Sequence, residues 1–458
     1  MVKTPVRGVD DTRVRDVQRT VSQADRLALS ADTCRLHGRE ISGAVERVYV
    51  YEAAMVAYCS THKVASTYWT RIFRWLYNDT RVGHVSSPLD ISKLETHLLP
   101  FKKLRVRDVA RNYQDRALVE ASYRFLVTRE PFARLWSVYI DKFLLPDNYF
   151  WSYYSPRVKA SVYSVGDGRQ GRQIHRSPAV DVVGDPMGKR NANARYQPNG
   201  GSLSTLRDIA LLKGAKPESG NSRAVWKGNG IPDTRVVHQP LSIKTNRHGR
   251  RPECLDVTFD EFIRYIVNVA GESTGEALDD HFRPIHYGCN PCKFQPHFIG
   301  RMESMRVDSG TVLGRMGLAH LLPELDASNH VQQEINMLID FNYELVVTRG
   351  YQRHCVTSKD LERRLIKAFV YNGYIAEESE SVLNRGLPMG RERLKKAVTK
   401  MYEQSNRTSA DIKRQRAKFK TEAYKKIPLD VLYSLQQVFH WDFELFGYDA
   451  LPSELFQR

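Results

Sequence analysis

A lysine, a serine and a threonine stand close together in the run Tyr58 to Trp69, where an apolar stretch gives way to a helical one. Met55, Val56 and Ala57 lead in, and the loop then carries Lys63, Val64, Ala65, Ser66 and Thr67. Trp69, Ile72, Phe73 and Leu76 recur at helical spacing, so the helix that follows has a face to bury. That order of residue types suits an anion. Helix-start amides point at a bound phosphate, the macrodipole favours negative charge there, the lysine adds a mobile cation and the two hydroxyls donate further bonds. The plainer alternative is a strand-to-helix turn with a capping Ser or Thr.

A second segment offers a partner. Tyr123 to Thr128 (YRFLVT) reads as a buried strand, and Pro131 falls in the first turn of a helix whose inward stripe is Phe132, Leu135, Trp136, Tyr139 and Phe143. Arg129 then sits at the carboxyl end of the strand and Ser137 two turns into the helix. Both can meet one anion at the top of a parallel sheet, where open α/β folds bind ligands. Standing alone, Arg129 would be expected to pair with Glu130 or Asp141.

Taken together, KVASTYW (63–69) and RFLVTREPFARLWSVYIDKF (124–143) resemble the two nucleotide-binding motifs of the Golgi carbohydrate sulfotransferases. The likeness is to the group that holds the chondroitin and dermatan 4-O-sulfotransferases and the HNK-1 sulfotransferase. Three more blocks agree in order: Val257 to Tyr265, His281 through Cys289 and Cys292 to Glu303, and Val438 to Tyr448. An ordered set of five says far more than any one loop pattern.

The resemblance implies an α/β fold of three layers with a mainly parallel sheet, like that of P-loop nucleotide kinases. It implies 3'-phosphoadenosine 5'-phosphosulfate as sulfuryl donor and an anionic glycan or glycoprotein as acceptor, most plausibly at GalNAc O-4 of chondroitin or dermatan-type chains. By the same likeness Lys63, Val64, Ala65, Ser66 and Thr67 hold the 5'-phosphosulfate, while Arg129 and Ser137 hold the 3'-phosphate. No metal is required, since Lys63 and loop amides take the part that magnesium plays in a kinase. His62 stands where the family usually has Pro, which implies a looser loop. For the base that deprotonates the sugar, His97 between the two motifs is the first candidate and His281 its competitor, with Arg283 beside it to address an acidic sugar.

Composition sets the frame. Of 458 residues 41% are hydrophobic, enough for a substantial core, and 69 Lys and Arg against 52 Asp and Glu leave a net charge of +17. Such an excess favours polyanions; with no nucleic-acid-recognition signature, a glycan ranks above nucleic acid. Cys34, Cys59, Cys254, Cys289, Cys292 and Cys355 are the cysteines. Cys289-x-x-Cys292 with nearby histidines can be written as a zinc site, but there is no second CxxC, and the secretory lumen that the resemblance implies favours disulfides within the 254–292 region. Asn78-Asp79-Thr80 and Asn406-Arg407-Thr408 are glycosylation sequons.

The organisation reads as a polar N-terminal segment, 1–45, and one transferase domain, 46–458, with two interruptions. Residues 155–252 are rich in Gly, Arg, Asn, Pro and Ser and are expected to be disordered; residues 351–426 read as a basic helical insertion. A type II membrane anchor needs an apolar run of about 18 residues, which the sequence does not contain, nor does it have a signal peptide's apolar stretch. The Golgi lumenal location and membrane association that the resemblance implies thus have no anchor in this chain. Two other readings remain: an inactive glycan-binding protein on the same fold, and a P-loop kinase, which the absence of G-x-x-x-x-G-K-[ST] disfavours.

Overall fold

Five strands make one mixed sheet among the described residues: β1 Arg47–Tyr51, β2 Val56–Cys59, β3 Arg105–Arg107, β4 Tyr123–Thr128 and β5 Phe298–Arg301, in the order β3-β1-β2-β4-β5. The computed structural model describes residues 22–83, 85–98, 105–107, 113–163, 254–322, 330–352 and 354–457, all within the unit Met1–Gly168 plus Glu253–Arg458. The parallel part of the expected sheet is β2-β4-β5, and β1 and β3 extend it antiparallel. Register aligns Cys59 with Leu126 and Leu126 with Ile299, so the carboxyl ends of the parallel strands emerge side by side.

The helices, in chain order, are α1 Gln23–His37, α2 Ser66–Leu76, α3 Lys93–Leu98, α4 Tyr113–Ala121, α5 Pro131–Tyr139, α6 Ser155–Tyr163, α7 Phe259–Glu272, α8 Ile285–Gly288, α9 Pro291–Phe294 and α10 Met305–Arg315. They continue as α11 His330–Tyr343, α12 Ser358–Tyr371, α13 Ser379–Arg385, α14 Arg391–Gln404, α15 Ser409–Tyr424, α16 Leu429–Val438, α17 His440–Phe446 and α18 Ser453–Phe456.

All four residues of β2 are buried, as a strand covered on both faces requires. Tyr58 stacks on Phe125 and meets Trp69 and Phe73 of α2, while Cys59, which must point the opposite way, is bonded to Cys289 between α8 and α9. One helical layer therefore lies on each face of the sheet. The stripe read on α2 is its inner face: Trp69, Ile72 and Phe73 are buried. So is that of α5, where Phe132, Leu135 and Trp136 join Phe262, Ile263 and Ile266 of α7 in a second, helical core.

That second core absorbs the segment 351–426. Leu361, Leu365, Ile366 and Phe369 of α12, Leu394 and Val398 of α14 and Tyr424 of α15 are all buried in it, and the Tyr424 ring meets Phe259 edge-on at 4.8 Å. The boundary drawn at 155 falls inside ordered structure, because α6 packs on α7 through Lys159–Glu261 at 2.7 Å and Asn268 to the Ser161 carbonyl at 3.2 Å. The rest of the segment 155–252, expected to be disordered, lies from residue 164 on outside the described residues. In the N-terminal segment, α1 carries a buried arginine: Arg26 donates to Asp308 at 2.7 Å and to the Ile299 carbonyl at 3.1 Å, fastening the helix to β5. Among the described residues no helix is long and apolar enough to cross a membrane.

The disulfides differ from the expectation of pairing within 254–292. They are Cys34–Cys292, Cys59–Cys289 and Cys254–Cys355. Asn290 caps α9 and turns the chain between the two cysteines of the CxxC, so that Cys289 meets β2 and Cys292 meets α1. Cys254 lies beside the turn before α12 instead. Both CxxC sulfurs are therefore committed to bridges rather than to a metal.

Arg134 of α5 braces the two layers. It is 1% exposed and donates to the carbonyls of His62 at 3.1 Å, Arg283 at 2.7 Å and Asp280 at 3.2 Å. Arg134→Ala leaves three carbonyls without their donor, and an unfolding titration is expected to show a loss of about 3 kcal/mol or more. A non-reducing peptide map should return the three pairs above; a Cys254 bridge to Cys289 or Cys292 would contradict the fold.

Candidate active site

Because β2 and β4 are parallel neighbours, the loop 60–65 and the turn at 129–130 leave the sheet at the same edge. They touch: Arg129 donates to the Lys63 carbonyl at 3.3 Å. Neither carboxylate expected to claim Arg129 does so, since Glu130 caps α5 through the amides of Phe132 and Ala133, both at 2.7 Å, and Asp141 binds lysines.

The loop is held in an uncommon shape. Lys63 and Ala65 both adopt left-handed backbone, with φ of 67° and 63°, a conformation that costs of order 1 kcal/mol or more in a non-glycine residue. Ala65 is the N-cap of α2 and supplies no side-chain cap, so neither Ser66 nor Thr67 plays the capping part of an ordinary turn. Thr67 instead shares a hydrogen bond with His97 Nε2 at 2.9 Å.

Lys63 Nζ donates to Asp141 at 2.9 Å, and Lys93 of α3 reaches the other oxygen at 3.0 Å. Lys142 lies 3.5 Å from Asp141 and 2.8 Å from Asp147. Burial lowers the Lys63 ammonium to about 8, with Asp141 opposing the shift. Burial likewise disfavours charge on Asp141, yet Lys142, Lys63 and Lys93 together hold its carboxyl well below the usual range. Ser137 is half-buried on α5. Arg134, Ser137 and Asp141 follow at i, i+3 and i+7, so Ser137 shares the face that Arg134 and Asp141 turn toward the loop.

The two histidines differ in their surroundings. His97 of α3 opens onto solvent on one side but is crowded on the others; that desolvation, with Lys93 and Lys142 nearby, lowers its pKa to about 3. His281 is held by Asp279, which accepts from its Nδ1 at 2.7 Å and from its amide at 2.9 Å. Burial lowers His281, with Asp279 opposing, and Asp279 itself lies at about 2: burial works against its charge, but the bonds from His281 and Tyr154 prevail. The His281 ring stacks on His62, centroids 3.9 Å apart, and meets Phe150 edge-on at 5.1 Å. His62 is bonded to Arg47, which also pairs with Asp280, and Arg283 bridges Asp280 and Glu46. His62, from which a looser loop was expected, is itself stacked on His281, and its carbonyl accepts from the Arg134 brace.

The structure thus brings Lys63, Thr67 and His97 into one cluster, with Arg129 on the loop's backbone, and sets His281 one ring away behind His62. Reading the sequence missed Lys93, Lys142, Asp141 and Asp279 as members of the site. Lys93 carried a usable signal, standing four residues before His97 on the same helical face.

The sequence profile of the sulfotransferase family matches residues 47–185 and 232–373. Carbohydrate sulfotransferase 14 of Danio rerio is 39% identical over 62 residues, which are 14% of this chain and 16% of that protein. Its Homo sapiens counterpart is 35% identical over 65 residues, again 14% of this chain and 16% of that protein. The matched stretch is thus about a sixth of the length of these relatives, and no solved structure matches the chain to a significant degree. With a profile match over more than half its length, this chain belongs to the sulfotransferase family.

Proposed function

We propose that the protein transfers a sulfuryl group from 3'-phosphoadenosine 5'-phosphosulfate to a glycan hydroxyl, in the finer reading GalNAc O-4 of chondroitin or dermatan-type chains, and that it works in the Golgi lumen. The contact of Arg129 with the Lys63 carbonyl carries this reading, because it sets a cationic loop and a guanidinium side by side on one sheet edge. The family supports the reaction type, and the relatives' name supports a carbohydrate acceptor. Three disulfides fit an oxidising compartment.

In this reading Lys63, the uncapped amides of α2 and the Ser66 and Thr67 hydroxyls hold the 5'-phosphosulfate, and Arg129 and Ser137 hold the 3'-phosphate. The acceptor oxygen gives its proton to a histidine as it bonds to sulfur. The bond from sulfur to the bridging oxygen breaks, and its electron pair stays on the phosphate, where Lys63 and Lys93 meet the charge. Of the two histidines, His281 is the better furnished base. Asp279 fixes its Nδ1 and leaves Nε2 as the proton acceptor, whereas His97 is bonded to the loop hydroxyl of Thr67.

Lys63→Ala is expected to lower kcat by about 10²-fold or more with little change in thermal stability, and near-normal turnover would remove the mechanism. His281→Ala should lose about 10² to 10⁴ in kcat while donor affinity, read by calorimetry, stays within about two-fold. His97→Ala should weaken donor binding instead; the reverse pattern would make His97 the base. Protonated Lys63 is the form that binds an anion, so kcat/KM for the donor should fall as pH rises through about 8. Lys63→Arg should abolish that alkaline limb; an unchanged limb would assign it to another group.

A further inference from the structure

The helix α15 bears the basic run Lys413 to Lys420, and only part of it faces water. Its residues 416, 420 and 424 lie at i, i+4 and i+8 on one face. Tyr424 donates to the Phe132 carbonyl at 2.9 Å, and Lys420 pairs with Glu130 at 3.4 Å. One turn further along the same face, about 6 Å on, comes Arg416. The face thus descends the start of α5 from Phe132 through Glu130, in the direction of Arg129. The Arg416 guanidinium is 5.9 Å from the Tyr374 ring, and both arginines act on that phenol.

Two guanidinium groups in one partly buried place repel each other. Burial is the larger cause of the lowering of Arg129 to about 10, and Arg416 is the next. Glu303 and Glu130 oppose that lowering, but the hydrogen bonds of both go to other groups. Glu130 caps α5 and takes Lys420, and Glu303 accepts from the Glu130 amide at 3.0 Å and from the Tyr448 hydroxyl at 3.1 Å. Arg416 donates to the Asn372 carbonyl at 3.2 Å, and its buried Nε has no hydrogen-bond partner among the described residues. Such a pair is stabilised by an anion with several acceptor oxygens and two negative charges, which a phosphate monoester supplies and which a planar guanidinium fork fits.

We propose that Arg416, from the helical segment set between the parts that resemble the family, joins Arg129 in gripping the 3'-phosphate of the donor nucleotide and so gives the site its preference for a 3'-phosphorylated adenosine. This rests on the reading above, in which the Arg129 end of the site takes the 3'-phosphate. In that reading the Lys63 ammonium, which is turned to Asp141, takes the 5'-phosphosulfate, so the two arginines address a group on the ribose and not the sulfate.

Calorimetry with adenosine 3',5'-bisphosphate and with adenosine 5'-monophosphate tests it on the whole chain. Arg416→Gln is expected to lose about 10-fold or more in affinity for the bisphosphate and less than about two-fold for the monophosphate, shrinking the preference between them. Arg416→Lys keeps the cation but not the fork and should fall between, which guards against a Gln variant that folds poorly. Equal losses for both nucleotides, or an unchanged preference in both variants, would overturn the role of Arg416 and leave the function intact. A wild-type protein with no preference for the bisphosphate would sink the donor assignment itself.

Discussion

Parallel pairing of β2 with β4 is the constraint from which the site follows. Had the second strand run the other way, Arg129 would leave the sheet at the edge far from Lys63, and no arrangement of loops would restore the contact. The register that sets Cys59 beside Leu126 is fixed in turn by burial, because a shift of one residue would turn Tyr58 away from α2 and Cys59 away from Cys289. Packing of an aromatic pair and closure of a disulfide thus decide where two cations meet.

A second dependence concerns charge. The lysines near the loop are gathered around Asp141, so a carboxylate of the protein's own holds the cationic cluster together. An ammonium cluster without that carboxylate would be driven apart or deprotonated. Asp141 holds Lys63 and Lys93 on its two oxygens, and the buried Arg134 anchors the backbone that carries Lys63. Preorganisation of this kind suits chemistry in which charge moves between oxygens and the protein supplies position and field.

Much of this was legible in the chain. The α2 and α5 stripes and the amphipathic helix beginning at Phe259 stand out because each repeats a period that burial imposes, and the strand Tyr123–Thr128 because it is a short apolar run. The placement of Lys63 and Arg129 at neighbouring strand ends was legible from their motifs. Asp141, Lys93 and Asp279 were not, since each acts through a partner far along the chain, and a carboxylate on a helix looks the same whether it meets water or three lysines. The cysteine pairing was misread for a similar reason: nearness in sequence suggested 254–292, while the turn at Asn290 sends adjacent cysteines to opposite elements. The basic run in α15 hides its inward face, because Lys413 to Lys420 carries few apolar residues and the face is anchored by Tyr424 beyond it.

The Cys59–Cys289 bridge joins the root of the loop 60–65 to the stretch that bears His281, across 230 residues of chain. Once it closes, the strand end and the segment behind it move as one body, and the juxtaposition of His62 with His281 is inherited from oxidative maturation. The frame around the two rings is then held by a covalent bond, with only side chains left to settle.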